Sequence, residues 1–471
     1  SMSMSIDESN WLSAIFLFHG SKEAGNSTDW GAGVNVQRKF RVLPISPGQF
    51  DAGLWRGGVA FLVDRDELDC RYARKINVMT TASSRSVVVQ TVVLAVGAFL
   101  FFLLAYGVPT SNAVMRNYTL GGKSFIQGQN PYEVTALNGP SNQFKYSPLF
   151  ALLMAGMAQP KAQEIVVGLW ILAGMGTFCL GLSRWSELKG KLQLSIALAV
   201  VACLLELMFS MVLTQANALI VGLILIGVAE YRSGRLFSAG AILLLATNFK
   251  VYPVIFLVAL AMRPKRAYLL GVLCAGVVAF LLPAFFVGWS HNMAMHVAWV
   301  QVVMGDAAGG GILDVASALQ RAGLATLGQV LRWVILIISV PLFFGYVLRV
   351  REVDWRPWVT FGVASILLLS PRTEVFTFVL LAPAYVLMVG WCVESGKKWI
   401  RTYGAMAFAV LGWMITSCAY TDANWLVSEG PIEIWRVMGA LGFWVLTAVI
   451  LGRAVGKSST RIASVCGAET I

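Results

Sequence analysis

From residue 87 onward the chain alternates between unbroken apolar runs and short polar segments. The longest runs reach roughly 18 to 22 residues, enough for a helix to cross a bilayer. The runs predict membrane helices near 87–107, 162–183, 193–211, 217–230, 236–249, 252–262, 267–287, 327–347, 357–370, 375–393, 402–418 and 434–451. That makes about twelve spans, the shorter of which draw on their polar flanks for length. One further apolar piece, SPLFALLMAGMAQ at 147–159, is too brief to span and is expected as a re-entrant or juxtamembrane helix. Two longer stretches break the rhythm. The loop at about 108–160 contains that short helix, and a loop at about 288–326 contains AAGGGILD and is expected as a mobile lid.

Composition agrees with a polytopic, all-helical membrane protein. Of 471 residues, 57% are hydrophobic and 13% charged, where soluble proteins carry about a quarter charged. The net charge of +12 would suggest nucleic acid in a soluble chain. Here the cations sit between apolar runs, in SRWSELKGK, EYRSGR, RPKR, RVREVDWR, ESGKKWIR and GRAVGKSSTR. The opposite set of loops carries only Arg116, Lys123, Lys145, Lys250, Arg321 and Arg372, with Arg436 near its edge. The excess of Lys and Arg marks the first set as cytoplasmic. Both termini are then cytoplasmic, and no nucleic-acid partner is implied. Making 147–159 a full span would invert every later loop. Residues 1–78 are polar and aperiodic, and are expected as a disordered extension or a start-site artefact. Residues 79–455 form the membrane domain and 456–471 a cytoplasmic tail. The cysteines at 70, 179, 203, 274, 392, 418 and 466 make no CxxC pair, and His19, His291 and His296 make no zincin motif. No metal or cofactor is implied.

The stretch YTLGGKSFIQGQNPYE includes GGKS, the tail of a phosphate-binding loop. The full pattern requires a glycine at position 117, which is Asn, and a preceding strand. The stretch also falls in the first extracytoplasmic loop, where ATP is absent. GGKS therefore reads as the middle of a loop helix. Three cations occupy the side that topology depletes of them: Lys145 in QFKYSPLF, Lys250 in TNFKVYP and Arg372 in LLSPRTEVF. Single long cations at span ends can snorkel to the interface. Three together favour a shared anionic ligand such as a lipid phosphate. Among carboxylates, Glu206 in ACLLELMFS needs an intramembrane partner. Glu133 follows NPY, Glu374 can pair locally with Arg372, Asp306 can be a solvated loop residue, and Asp314 can cap a helix over VASALQR. Any of these carboxylates could serve as a general base.

The ordered set GGKSFIQGQNPYE, FKYSPLFALLMA, LTQANALIVGLILIG, TNFKVYPVIFLVALAMRPKR and LLSPRTEVFTFVLLAPAY resembles glycosyltransferase family 87, the polyprenol-phosphate-dependent mannosyltransferase-like membrane proteins. The resemblance covers roughly residues 100–390. It implies a GT-C fold whose first extracytoplasmic loop is helical. It also implies a polyprenyl-phosphate-linked sugar donor, mannose-like, and a lipid or glycan acceptor. The site would face outward from a bacterial inner membrane. On this reading Lys145, Lys250 and Arg372 hold the donor phosphate. Tyr118, Lys123, Asn130, Tyr132, Tyr146, Gln215, Asn217 and Tyr252 shape the sugar and acceptor pocket. The family places an Asp at the start of the first loop, where this chain has Val114, and no acidic residue occurs from Thr80 to Tyr132. Glu206 and Glu133 are the substitutes expected to act as base. A transporter or flippase of lipid-linked saccharide, or an inactive polyprenyl-phosphate-binding homologue, are the alternatives.

Overall fold

The computed structural model describes residues 113–136, 143–185, 194–263, 265–308, 313–350, 352–370, 373–421 and 432–468. All belong to the second of two units into which the chain divides, Arg65–Ile471. The expected N-terminal extension, the span at 87–107 and Arg372 lie outside the described residues. Among those described, the regular structure is helical throughout.

Three short helices come first: α1 (Ala113–Ile126), α2 (Pro131–Ala136) and α3 (Pro148–Met154), the last prolonged by a 3₁₀ turn, Ala155–Ala158. GGKS lies inside α1, as a helix requires and a phosphate loop does not. Ser147 caps α3 by accepting from the Phe150 N–H, with Pro148 at the first helical position. Apolar helices follow: α4 (Pro160–Ser183), α5 (Leu194–Val212), α6 (Asn217–Arg232), α7 (Leu236–Phe249), α8 (Val254–Ala261) and α9 (Arg266–Val287). Then come α10 (Trp289–Ala308), α11 (Val315–Arg321), α12 (Ala325–Arg349), α13 (Trp355–Leu369), a 3₁₀ segment Val375–Leu380, α14 (Ala382–Val393), α15 (Ala405–Thr421) and α16 (Ile432–Ala468).

Six of the described helices are long and apolar enough to cross a membrane: Ala162–Ser183, Leu194–Val212, Arg266–Val287, Ala325–Arg349, Val375–Val393 and Ile434–Ser458. Others are shorter. At 14 residues, α7 is about 21 Å long, less than the roughly 30 Å of a hydrocarbon core. Two expectations change. Most of 288–326 is helix, in α10 and α11, rather than a long loop. The last helix continues to Ala468, through much of the segment expected as a tail. Asp314 does cap α11, accepting from the Ala316 and Ser317 N–H groups at 2.9 and 3.2 Å.

Small residues set the closest helix contacts, as they do where lipid supplies no hydrophobic drive between helices. At the α4–α6 contact, a Cβ built on Gly222 would lie 2.5 Å from the Thr177 carbonyl carbon, and one on Gly181 would lie 2.8 Å from the Gly222 carbonyl oxygen. At α7–α9, a Cβ on Gly240 meets the Tyr268 carbonyl and one on Gly271 meets that of Phe237. Those obstacles are backbone, so only a shift of a whole helix could relieve them. Gly271→Ala is therefore expected to cost about 1–3 kcal/mol, read as a lowered melting temperature in detergent. Gly168→Ala, whose new Cβ meets nothing within 4 Å, should leave melting unchanged or raise it slightly. Equal melting of the two variants would refute the close-contact reading.

At the C-terminal end of α6 the charges are paired. Glu230 accepts from Arg184 at 2.8 Å and pairs with Arg235, while the Arg232 guanidinium stacks 4.8 Å from the Trp185 ring. The N-terminal end of α6 holds a different kind of cluster.

Candidate functional site

Between α5 and α6 the chain turns through Thr214, Gln215 and Ala216. Thr214 has φ 56°, a left-handed conformation that costs a β-branched residue energy and is held only when its surroundings enforce it. The enforcing contacts are on hand. Trp170 donates its indole N–H to the Thr214 carbonyl at 3.1 Å, and the Gln215 N–H reaches the Ser210 carbonyl at 3.1 Å. The Ala216 N–H points at the Tyr118 hydroxyl, 3.3 Å away. The turn thus ties α6 to helix α1.

Asn217, the first residue of α6, is fully buried and is the hub of the cluster. Its Oδ1 accepts from Lys250 Nζ at 2.9 Å and from the Tyr252 hydroxyl at 3.0 Å. Its Nδ2 donates to the Phe376 carbonyl at 3.2 Å. One asparagine thereby joins the N-terminus of α6, the α7–α8 turn and the Val375–Leu380 segment. Lys250 lies there because α7 ends at Phe249 and Lys250 turns extended, with Pro253 just ahead of α8. Its ammonium sits 5.9 Å from the Tyr146 ring centre and 6.0 Å from that of Tyr252, within reach of a cation–π attraction. The positive end of the α6 dipole faces the same place.

The first-loop aromatics pack beneath it. The Tyr118 and Tyr146 hydroxyls are 3.1 Å apart, and Tyr132 donates to the Tyr146 carbonyl at 2.6 Å. Tyr146 stacks on Phe150 with ring centres 4.3 Å apart. Burial raises the Tyr118 phenol well above its ordinary pKa, and that of Tyr146 too, with the nearby Glu374 carboxylate adding to both. These phenols therefore stay protonated and act as hydrogen-bond groups, not as bases. The same effect puts Glu374, half-buried, within electrostatic reach of both rings. Beyond Tyr252 lies a cavity of about 260 Å³, lined almost wholly by apolar atoms of α8, α12 and α13, among them Ile255, Leu336, Val340 and Phe343.

The structure therefore gathers Tyr118, Tyr132, Tyr146, Gln215, Asn217, Lys250 and Tyr252 of the expected set. Lys145 is half-buried on the adjoining chain, where its carbonyl accepts from the Trp299 indole at 3.1 Å. Lys123 is exposed. Asn130 donates to Glu133 at 2.7 Å in an exposed local contact and caps α2 by accepting from the Tyr132 N–H. Glu206 does have an intramembrane partner. It is fully buried, and Arg436, 1% exposed, reaches its Oε1 at 3.4 Å and the Val375 carbonyl at 2.9 Å. Arg436 and the Thr214 turn carry no local sequence signal for these roles, since their partners are remote in the chain. Among the described residues no three His, Cys, Asp or Glu side chains gather as a metal-binding group.

A half-buried lysine, a buried asparagine hub and an aromatic floor thus meet at the N-terminal end of α6. Residues 144–371 match the model of glycosyltransferase family 87, which supports membership of the chain in that family of membrane glycosyltransferases. The match starts at Phe144, downstream of Val114, and takes in Lys145, Asn217, Lys250 and Tyr252. No curated protein and no solved structure matches the chain.

Proposed function

We propose that the protein transfers a sugar, mannose-like, from a polyprenyl-phosphate donor to an acceptor hydroxyl at the extracytoplasmic face of the membrane. The observation that carries this reading is Lys250, held by Asn217 between the first-loop aromatics and the apolar cavity beside Tyr252. A phosphate on Lys250 would leave its isoprenoid chain next to that cavity and its sugar over Tyr118, Tyr146 and Tyr252. As the glycosidic bond breaks, charge builds on the phosphate oxygens. Lys250 and the α6 N-terminus are already aimed at it, and such preorganised groups stabilise a leaving anion without reorganising. Lys145 and Arg372 are proposed as further phosphate ligands. The cations gathered at the opposite end of α6 support placing Lys250 outside, since basic residues favour the cytoplasmic side.

For the base, the carboxylate we assign is Glu374, the N-cap of the Val375–Leu380 segment and within electrostatic reach of Tyr118 and Tyr146, in preference to Glu206, whose charge Arg436 engages, and Glu133, held by Asn130 in an exposed local contact. Purified protein given radiolabelled polyprenyl-phosphate sugar and membrane-extract acceptors is expected to transfer label. Glu374→Gln should lower the rate by about 10²–10⁴-fold with donor affinity retained, and Glu133→Gln should be near wild type. Transfer undiminished in Glu374→Gln would remove that assignment. The lack of any acid from Thr80 to Tyr132 favours one other reading, a homologue that binds the lipid without transferring. Donor binding with no transfer by the wild type would establish it.

A further inference from the structure

Helix α10 has two faces with opposite character. One carries Trp289, Met293, Val297, Val300 and Met304, at spacings of four, four, three and four, which place them on a single stripe. These five side chains are 42% to 69% exposed. The other face is fixed to the protein. Asn292 and Met295 are fully buried, Asn292 donates to the Phe280 carbonyl at 3.0 Å, and the His296 ring lies 4.7 Å from that of Phe280. Trp299 donates to Lys145. The helix packs on α2 and α3 as well as on α9.

We infer that α10 lies along the surface of the outer lipid leaflet, with this stripe sunk into the headgroup–acyl boundary. Three observations select a lipid leaflet as the occupant. First, the stripe continues the exposed apolar side of α9, where Leu273, Val277, Leu281 and Phe285 face outward on a helix long enough to span. Second, Gly288, with φ 81°, ends α9 in a conformation open to glycine and redirects the chain there. The apolar surface is thus carried round a corner without interruption. Third, α10 is not among the helices apolar enough to span, because His291, Asn292, His296 and Gln301 interrupt it. Such a helix lies in the interface with its apolar face about 5–10 Å deep. No Lys, Arg, Asp or Glu occurs from Trp289 to Gly305. Insertion therefore draws on apolar area alone, and anionic lipid is not required. Through the Trp299–Lys145 bond the helix would set the height of the Lys145 segment against the leaflet. The inference about α10 stands whether or not transfer is found.

The test is nitroxide depth measurement in zwitterionic phosphatidylcholine vesicles, with single cysteines placed at Met293, Val300, Ser290 and Gln301 in a chain whose native cysteines are replaced by Ala. Labels at 293 and 300 should show a severalfold higher ratio of oxygen to nickel-chelate accessibility than those at 290 and 301. The ratios should be unchanged when anionic lipid or salt is added. Equal ratios at all four sites would overturn the inference, as would dipolar broadening from a second copy of the chain. If the cysteine-free chain does not fold, benzoylphenylalanine at Met293 in the otherwise native chain gives the same decision. Lipid adducts support the leaflet, whereas chain dimers or no adduct refute it.

Discussion

Arg436→Met is expected to destabilise the protein by about 3–5 kcal/mol, the cost of removing one member of a buried ion pair. Its guanidinium and the Glu206 carboxylate are both sealed from solvent in the bundle, 3.4 Å apart. Removing the cation strands a carboxylate with no other described charge beside it. The carboxyl would take up a proton before it stayed charged there, but its oxygens would still lack donors. Glu206→Leu strands the guanidinium in the same way. The double variant Glu206→Leu/Arg436→Met should recover most of the loss, because well-packed apolar residues commonly replace a buried pair without cost. Recovery should be incomplete by about 0.5–1.5 kcal/mol, since Arg436 also donates to the Val375 carbonyl, a bond the double variant loses. Melting of the four proteins in one detergent measures the cycle. Single variants within about 0.5 kcal/mol of wild type would show that the pair contributes no stability.

The second large effect is functional. Lys250→Ala should reduce transfer by about 10²–10³-fold, the usual loss when one preorganised donor to a developing anion is removed. Binding of the bare polyprenyl phosphate should weaken with it. Lys250→Arg keeps the charge but cannot place a compact ammonium on Asn217 Oδ1, so it should bind the lipid and transfer poorly. Asn217→Leu removes the acceptor for Lys250 and Tyr252 together with the donor to Phe376, and should match Lys250→Ala in rate. The lysine variants should melt like wild type, which separates them from the Arg436 series. If Lys250→Ala binds and transfers normally, the phosphate site lies elsewhere and the proposed reaction loses its main support.

Much of the helical frame was legible from hydropathy. The runs at 162–183, 193–211 and 267–287 correspond to α4, α5 and α9 within a few residues, because bilayer-length apolar stretches have few other options. The short piece at 147–159 is helical as well, helped by a Ser-Pro start. Helix α10 is hard to read from hydropathy for a physical reason. Its histidines and Asn292 pack toward the protein and Gln301 is exposed beside the stripe; all four dilute the average, while the apolar stripe shows only at the helical period. Of the site, Lys250 and Tyr252 stood out through KVYP, and Asn217 through LTQAN. What sequence could not supply was convergence. Asn217 meets Phe376 from 159 residues away, and Glu206 meets Arg436 from 230. Pairings at that range are written in tertiary packing, which no local pattern reports.

The same long separation has a consequence for how the chain is made. Helix α5 leaves the ribosome well before α16. At about 5–20 residues per second, 230 residues take roughly 10–50 s to synthesise. For that interval the nascent protein carries Glu206 in the membrane without its cation. Biogenesis must then either hold α5 within the insertion machinery or tolerate a protonated carboxyl until α16 arrives. A chain truncated before Arg436 would never resolve that state, and its stranded carboxyl would mark it as incomplete to membrane quality control.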